Sequence, residues 1–228
     1  MADIKMPSHV GIIMDGNGRW AEAKGKNRSY GHKFGAKNVD KIVVHAFKSG
    51  VKSLTLYAFS AENWARPKQE VDELMKLLKE YFNKFIKKVV KSDVRLRVIG
   101  GRSELSSDLI EVITEVEEKS KNNTKNNLNI ALNYGGRQEI ARVVNNLIKE
   151  GKEITDQAIL NGLDTAESGE VDLIIRTGGE LRLSNFLLFQ GAYSELYFTD
   201  VLWPDFDEVE LDKAIESFSN RKRRFGKV

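Results

Sequence analysis

With 228 residues, 41% apolar and 30% charged, the chain can bury a sizeable core as a single domain spanning residues 1–228. A formal net charge of +3 is too weak to argue for nucleic acid, and the absence of cysteine excludes thiol nucleophiles, disulfides, iron–sulfur clusters and cysteine-ligated zinc. No run approaches the roughly 20 apolar residues needed to span a bilayer, so a cytoplasmic protein is expected, with any membrane contact peripheral or through a lipid-like ligand.

Residues 10–14 read as a buried strand. Residues 35–49 predict a helix with Val39, Ile42, Val43, Ala46 and Phe47 on one face and Gly50 as its stop. Residues 53–59 form the second strand pattern. A long helix follows over 69–91, with Val71, Leu74, Leu78, Phe82 and Phe85 among its apolar positions. Residues 94–99 are a third strand, 107–121 a charged helix, 122–127 a polar turn and 128–132 a fourth strand. A helix over 138–149, a strand over 171–175, a short strand over 196–198 and a helix over 206–221 complete the chain. The βαβα order implies an α/β fold with an open, largely parallel six-stranded sheet flanked by helices. Ligands in such sheets collect at the carboxyl ends of the strands.

Four of those ends share one chemistry. They are Asp15-Gly16-Asn17-Gly18-Arg19-Trp20, then Ser60-Ala61-Glu62-Asn63-Trp64-Ala65-Arg66, then Asn133-Tyr134-Gly135-Gly136-Arg137, and finally Arg176-Thr177-Gly178-Gly179 with Arg182 and Ser184. Glycine admits close backbone approach, a helix start adds positive dipole, and arginine gives planar bidentate donors to phosphate oxygens. One such loop is ordinary turn composition; four together describe a multi-phosphate site. The first loop alone stays ambiguous. Gly16-x-Gly18-x-x-Ala21 resembles a dinucleotide fingerprint, but the acidic residue expected roughly 20 positions on is missing from a strand end. A strand ending in Asp15 also suits an aspartyl nucleophile, a chemistry that wants a second Asp where Asn17 stands. A divalent metal between Asp15 and a diphosphate is the third reading.

Among the three histidines, His45 reads as structural, His9 as a turn residue, and His32, after Arg28 and Tyr30 in a glycine-flanked loop, as the phosphate contact. Asp205, Asp207 and Glu208 follow Pro204 and read as helix-capping acids. Glu195, in a mostly apolar stretch, needs a partner: an arginine, or a metal shared with another subunit.

These segments match a known family. Segment 9–20 (HVGIIMDGNGRW) resembles the first signature of the cis-prenyltransferases; 54–67 (LTLYAFSAENWARP), 133–137 (NYGGR), 172–180 (DLIIRTGGE), 182–186 (RLSNF) and 192–198 (AYSELYF) resemble the later ones in order. The resemblance runs over about residues 9–226, and is nearest to the bacterial branch that makes the undecaprenyl cell-wall lipid carrier. It implies a homodimeric, Mg2+-dependent enzyme that adds isopentenyl diphosphate repeatedly to an allylic diphosphate, usually farnesyl diphosphate, to give a long-chain polyprenyl diphosphate, with no nucleic acid involved.

By that pattern Asp15 helps hold Mg2+, and Gly16, Asn17, Gly18 and Arg19 cradle the allylic diphosphate. Arg28 and His32 add contacts, and Trp20 and Trp64 flank the allylic group. Ser60, Ala61 and Glu62 match a substrate-binding stretch. Arg66, Arg176, Arg182, Leu183 and Ser184 match the isopentenyl diphosphate site, and Glu195 matches a second metal-associated carboxylate. Asn63 matches a proposed proton acceptor, although a neutral amide is a poor base and positioning, or relaying the proton to released diphosphate, is physically easier. Arg224-Phe225-Gly226 resembles a tail thought to reach a diphosphate across the dimer. An apolar tunnel is implied, with Ala58 at its constriction and Met75, Leu78 and Phe82 as candidate lining. Leu181 departs from the pattern, which favours a more polar residue there. All of Asp15, Asn17, Arg19, Arg28, Asn63, Arg176 and Glu195 are present, which argues against a non-catalytic subunit, and no Asp-Asp-x-x-Asp motif of the all-helical trans-prenyltransferases occurs.

Overall fold

The computed structural model describes residues 5–89 and 93–221. Six strands form one sheet in the order β3-β4-β2-β1-β5-β6, with every pairing parallel. They are β1 (His9–Ile13), β2 (Ser53–Ser60), β3 (Val94–Ile99), β4 (Asn126–Tyr134), β5 (Leu173–Arg176) and β6 (Glu195–Phe198). The central strands are covered on both faces, so they read as nearly continuous apolar runs. Alternation still sorts their side chains. Val10, Ile12, Leu54, Leu56, Leu128, Ile130, Leu173 and Ile175 enter one core, while Ile13, Tyr57, Ala131, Tyr134 and Ile174 enter the other. The first core is closed by α2 (Arg28–Ser49), α3 (Lys68–Val89), α4 (Ser107–Ser120) and α7 (Glu208–Ser219). Phe186 and Leu187 pack on the second face, and α5 (Gly136–Lys149) and α6 (Asp156–Gly162) share a smaller cluster around Val143, Leu147 and Leu163.

Some boundaries differ from the sequence expectation for identifiable reasons. The helix expected at 35 begins at Arg28, where Asn27 caps it by accepting the Tyr30 N–H at 3.0 Å. Gly31 lies inside it rather than in a loop, and Gly35 is interior rather than the first residue. A Cβ on Gly31 would collide with the carbonyl oxygen of Asn17, so glycine here lets α2 pack directly on α1 (Asn17–Glu22). The expected polar turn loses its last two residues to β4, because the Asn126 amide is buried and donates to the Val51 carbonyl at 3.0 Å across the sheet. The short helix α6, capped by Thr155, falls in a stretch too short and too polar to show a helical period. Of the expected end acids, Asp207 is the N-cap of α7, accepting the Glu210 N–H at 3.0 Å, and Glu208 opens its first turn, whereas Asp205 lies in the preceding 3-10 turn and accepts the Trp20 indole N–H.

The edge strand β3 has its free side covered by α4. Glu117 accepts the Val98 N–H at 2.8 Å, and Ser120 accepts that of Leu96 at 3.0 Å. This removes the unpaired donors that make an open edge prone to pairing with another chain.

Candidate active site

The sheet order places the four motif-bearing strands side by side, β4-β2-β1-β5. Their carboxyl-end loops therefore form one continuous rim, the position where open α/β sheets bind ligands.

The first loop turns at Gly16, whose φ of 108° is left-handed and accessible at low cost only to glycine. It leads into α1, which has neither a capping side chain nor an acid in its first turn, so its amino end is free to meet an anion. Asp15 stands at the mouth with its side chain 31% exposed. It accepts from Arg176 at 2.9 Å and lies 3.4 Å from Arg19. Arg176 ends β5 and is almost fully buried. Its other amino group donates to the Arg182 carbonyl at 2.6 Å and to Ser184 Oγ at 2.8 Å. One guanidinium therefore joins the first and last candidate loops, and its Nε–H has no partner.

Arg28, His32 and Arg66 come together on a carboxylate that the motifs did not reveal. Glu70, in the first turn of α3, lies 3.3 Å from Arg28 Nε, 3.0 Å from Arg66 and 3.4 Å from His32 Nε2. Partial burial pushes the Glu70 carboxyl up, but the fields of Arg28, Arg66 and His32 outweigh it and hold the group below its ordinary value. His32 moves below its usual value mainly through burial, with Arg66 and Arg28 adding to the fall and Glu70 opposing it, so the imidazole is favoured in its neutral form. Its place on a helix, rather than in a loop, is what turns it toward α3.

The second loop is a short 3-10 turn, Ala61–Ala65, closed by a reciprocal cap: Asn63 Oδ1 accepts the Ser60 N–H at 3.0 Å while Ser60 Oγ accepts from the Asn63 backbone. Trp64 donates its indole N–H to Asn133 Oδ1 at 2.8 Å, which fixes the ring, and Asn133 is left-handed at φ 50°. Trp20 is placed differently. Its ring is buried against Tyr30 and Phe34, and its N–H donates to Asp205 at 2.7 Å.

An apolar cavity of about 80 Å³ lies below the rim between α2, α3 and the sheet. Asn17, His32, Ala58, Leu78, Tyr81 and Trp203 are among its walls. Met75 faces a different surface cleft and Phe82 is wholly in the core, so of the expected lining only Ala58 and Leu78 border this cavity.

Glu195 opens β6 opposite Leu173, whereas Asp15 follows the other end of β1, where Ile13 pairs with Arg176. Their levels differ by at least three strand residues, about 10 Å. Within this chain Glu195 instead accepts from Arg221 at 2.8 Å. No cluster of three or more His, Asp or Glu side chains able to hold a metal occurs among the described residues. Leu181 is exposed, and the Arg224-Phe225-Gly226 tail lies outside the described residues. No helix among the described residues is long and apolar enough to cross a membrane.

The chain is similar to known proteins over nearly its whole length. The family model described as undecaprenyl diphosphate synthase matches residues 13–226. An isoprenyl transferase of Fusobacterium nucleatum is 53% identical over 224 residues, covering 98% of this chain and 97% of that protein. A farnesyl-diphosphate-specific ditrans,polycis-undecaprenyl-diphosphate synthase of Pasteurella multocida is 50% identical over 228 residues, covering 97% of this chain and 95% of that protein. Among solved structures, lavandulyl diphosphate synthase from Lavandula x intermedia in complex with dimethylallyl diphosphate superposes with a TM-score of 0.92 at 36% identity, covering 97% of this chain and 99% of the other.

Proposed function

The chain belongs to the undecaprenyl diphosphate synthase family of prenyltransferases, and from that premise we propose that it extends farnesyl diphosphate by successive cis additions of isopentenyl diphosphate to a long-chain polyprenyl diphosphate. The observation that carries this reading is Arg176: one buried guanidinium bonded to Asp15 on one side and to the Arg182–Ser184 loop on the other. Two anion sites sharing one cation suit a condensation between two diphosphates.

Asp15, Gly16, Asn17, Gly18 and Arg19, with Arg28 and His32 beside them, receive the allylic diphosphate. Arg66, Arg176, Arg182, Leu183 and Ser184 receive isopentenyl diphosphate, and Ser60, Ala61 and Glu62 border it. As the allylic C1–O bond breaks and the new C–C bond forms, negative charge grows on the departing diphosphate, and the N–H groups and arginines around the first loop oppose that charge. A bound Mg2+ would neutralise the same charge. Asp15 fits such an ion, since Mg2+ is commonly held by one or two carboxylates with substrate phosphate oxygens and water completing its shell. Glu195 can share it only if a second copy of the chain delivers it, which makes a homodimer part of the proposal. Asn63 acts by holding the Ser60–Glu62 segment in place: its Oδ1 is already committed to the Ser60 N–H, and the proton lost from the isopentenyl unit is better accepted by a diphosphate oxygen.

The growing chain enters the cavity beside Ala58. Pockets for ligands of moderate size run roughly 300–1,000 Å³, so this one of about 80 Å³ must widen by separation of α2 and α3. The test is to incubate the protein with farnesyl diphosphate, isopentenyl diphosphate and Mg2+ and size the products. A ladder ending in long polyprenyl diphosphates is expected. Absence of any product, together with thermal protection by nucleotides and none by farnesyl diphosphate, would refute the assignment.

A further inference from the structure

The loop holding Arg182 and Ser184 has an unusual backbone. Ser184, Asn185 and Leu187 have φ values of 48°, 64° and 45°, all left-handed and none on glycine. Such residues persist when their surroundings fix them. Asn185 is where the fixing is concentrated. Its Nδ2 donates to Glu62 Oε1 at 2.8 Å and to Gln138 Oε1 at 2.9 Å. Its Oδ1 accepts the Arg137 N–H at 2.9 Å, and its carbonyl accepts the Gly136 N–H at 2.7 Å. The amide thus engages both donor hydrogens and its oxygen. One residue ties the last loop to the second loop, through Glu62, and to the third, through Gly136 and Arg137. Asparagine suits this place twice over: it tolerates the left-handed region, and it supplies donors and an acceptor from one planar group.

The Tyr57 phenol reinforces the docking, donating to the Tyr134 carbonyl at 3.0 Å and lying 3.3 Å from that of Ser184. Glu62 bears the mark of the tie as well. Partial burial raises its pKa, but hydrogen bonds from Asn185, its own N–H and Ser60, with the field of Arg137, bring it below the ordinary value.

We propose that Asn185 is a positioning residue that locks the isopentenyl-diphosphate loop to the Ser60–Asn63 segment. It touches neither substrate; it sets where Ser184 and Arg182 stand relative to Glu62 and Asn63. The proposal rests on the reading of Arg176, Arg182 and Ser184 as the isopentenyl diphosphate site. It also gives the Asn133–Arg137 motif a role, as the platform on which that site is docked.

The test uses two variants of the full-length enzyme. Asn185→Gly accepts the left-handed backbone and removes the side chain. Asn185→Asp keeps the acceptor for Arg137 but loses both donors and sets a second carboxylate against Glu62. Each is expected to raise the KM for isopentenyl diphosphate about tenfold, the scale of one or two lost hydrogen bonds, while the KM for farnesyl diphosphate stays within about twofold. The Asp variant is expected to be the weaker of the two below saturation. A KM for isopentenyl diphosphate within twofold of wild type in both variants overturns the proposal, as does an equal rise in both KM values, which would mark a merely structural loss. Wild-type protein that makes no product from the two diphosphates overturns the underlying functional reading instead, so the two failures are distinguishable.

Discussion

Asp15 offers the sharpest separation between a structural and a chemical role. Its carboxylate meets Arg176 at 2.9 Å, with side chains 31% and 5% exposed. Replacing it with alanine leaves a buried guanidinium that still has the Arg182 carbonyl and Ser184 Oγ as acceptors. Breaking a fully buried pair costs about 3–5 kcal/mol, but the exposure of Asp15 lets water replace part of it, which reduces the expected cost to about 1–2 kcal/mol. For a chain of this size that lowers Tm by roughly 2–8 °C. Asp15→Asn retains an oxygen for Arg176, so its stability is expected within about 1 kcal/mol of wild type. Activity divides differently. Both variants lose the charge proposed to hold Mg2+, and both should lose about a hundredfold or more in kcat/KM, the scale of removing one stabiliser of transition-state charge. The assay pairs thermal unfolding with single-addition kinetics across a Mg2+ titration. If Asp15→Asn keeps its rate within tenfold of wild type at saturating Mg2+, the metal assignment fails, and Asp15 is left as an anchor for Arg176.

Ala58→Leu adds three carbon atoms, on the order of the whole cavity of about 80 Å³, and should shift the products of a radiolabelled elongation assay to shorter chains while the first addition stays near normal; an unchanged distribution would remove Ala58 from the chain's path. His9 is buried, with Nδ1 3.0 Å from the Gly169 carbonyl and Nε2 2.8 Å from Thr55 Oγ1, and desolvation lowers its pKa to about 4 against the opposing pull of the Gly169 hydrogen bond and Asp172. The neutral imidazole is thus the form that the fold stabilises. Above pH 6.5 its contribution is complete; as pH falls from there toward 4 the unfolded chain takes up the proton first, and roughly 3 kcal/mol should be lost. Urea titrations at pH 7, 5.5 and 4.5 should show this slope in wild type and a flatter one in His9→Gln, and parallel slopes would count against it.

The strands were legible because a sheet covered on both faces requires long apolar runs, and the sequence supplies them with glycine or polar stops. The candidate loops were legible because each follows directly on such a run. What escaped was contact between elements. Gly31 looks like a loop residue until α2 is seen lying against Asn17. Trp20 reads as a substrate-facing ring until Asp205, 185 residues away, takes its N–H. Glu195 sits in a motif, but only strand register shows it at the opposite end of the sheet from Asp15. Glu70 carried no signal of its own: four residues after Arg66 it looks like an ordinary i,i+4 partner on a helix. Its convergence with Arg28 and His32 arises from the packing of α2 on α3.

That convergence explains how the fold tolerates so many arginines in one rim. Arginines gathered in one rim repel each other and resist desolvation, so the fold must neutralise them. Here Asp15 serves Arg19 and Arg176, Glu70 serves Arg28 and Arg66, and Glu180 serves Arg182. These carboxylates do not cancel the site. The exposed pairs, Arg19–Asp15 and Arg182–Glu180, contribute only about 0–1 kcal/mol each, whereas a phosphate can offer an arginine two parallel charge-assisted hydrogen bonds. On the proposed function, an arriving diphosphate would displace weak ties and make stronger ones, and would leave the Asp15 carboxylate free to hold Mg2+. On that same proposal, the acid that steadies Arg176 in the free protein would be the residue that holds the metal once substrate is bound.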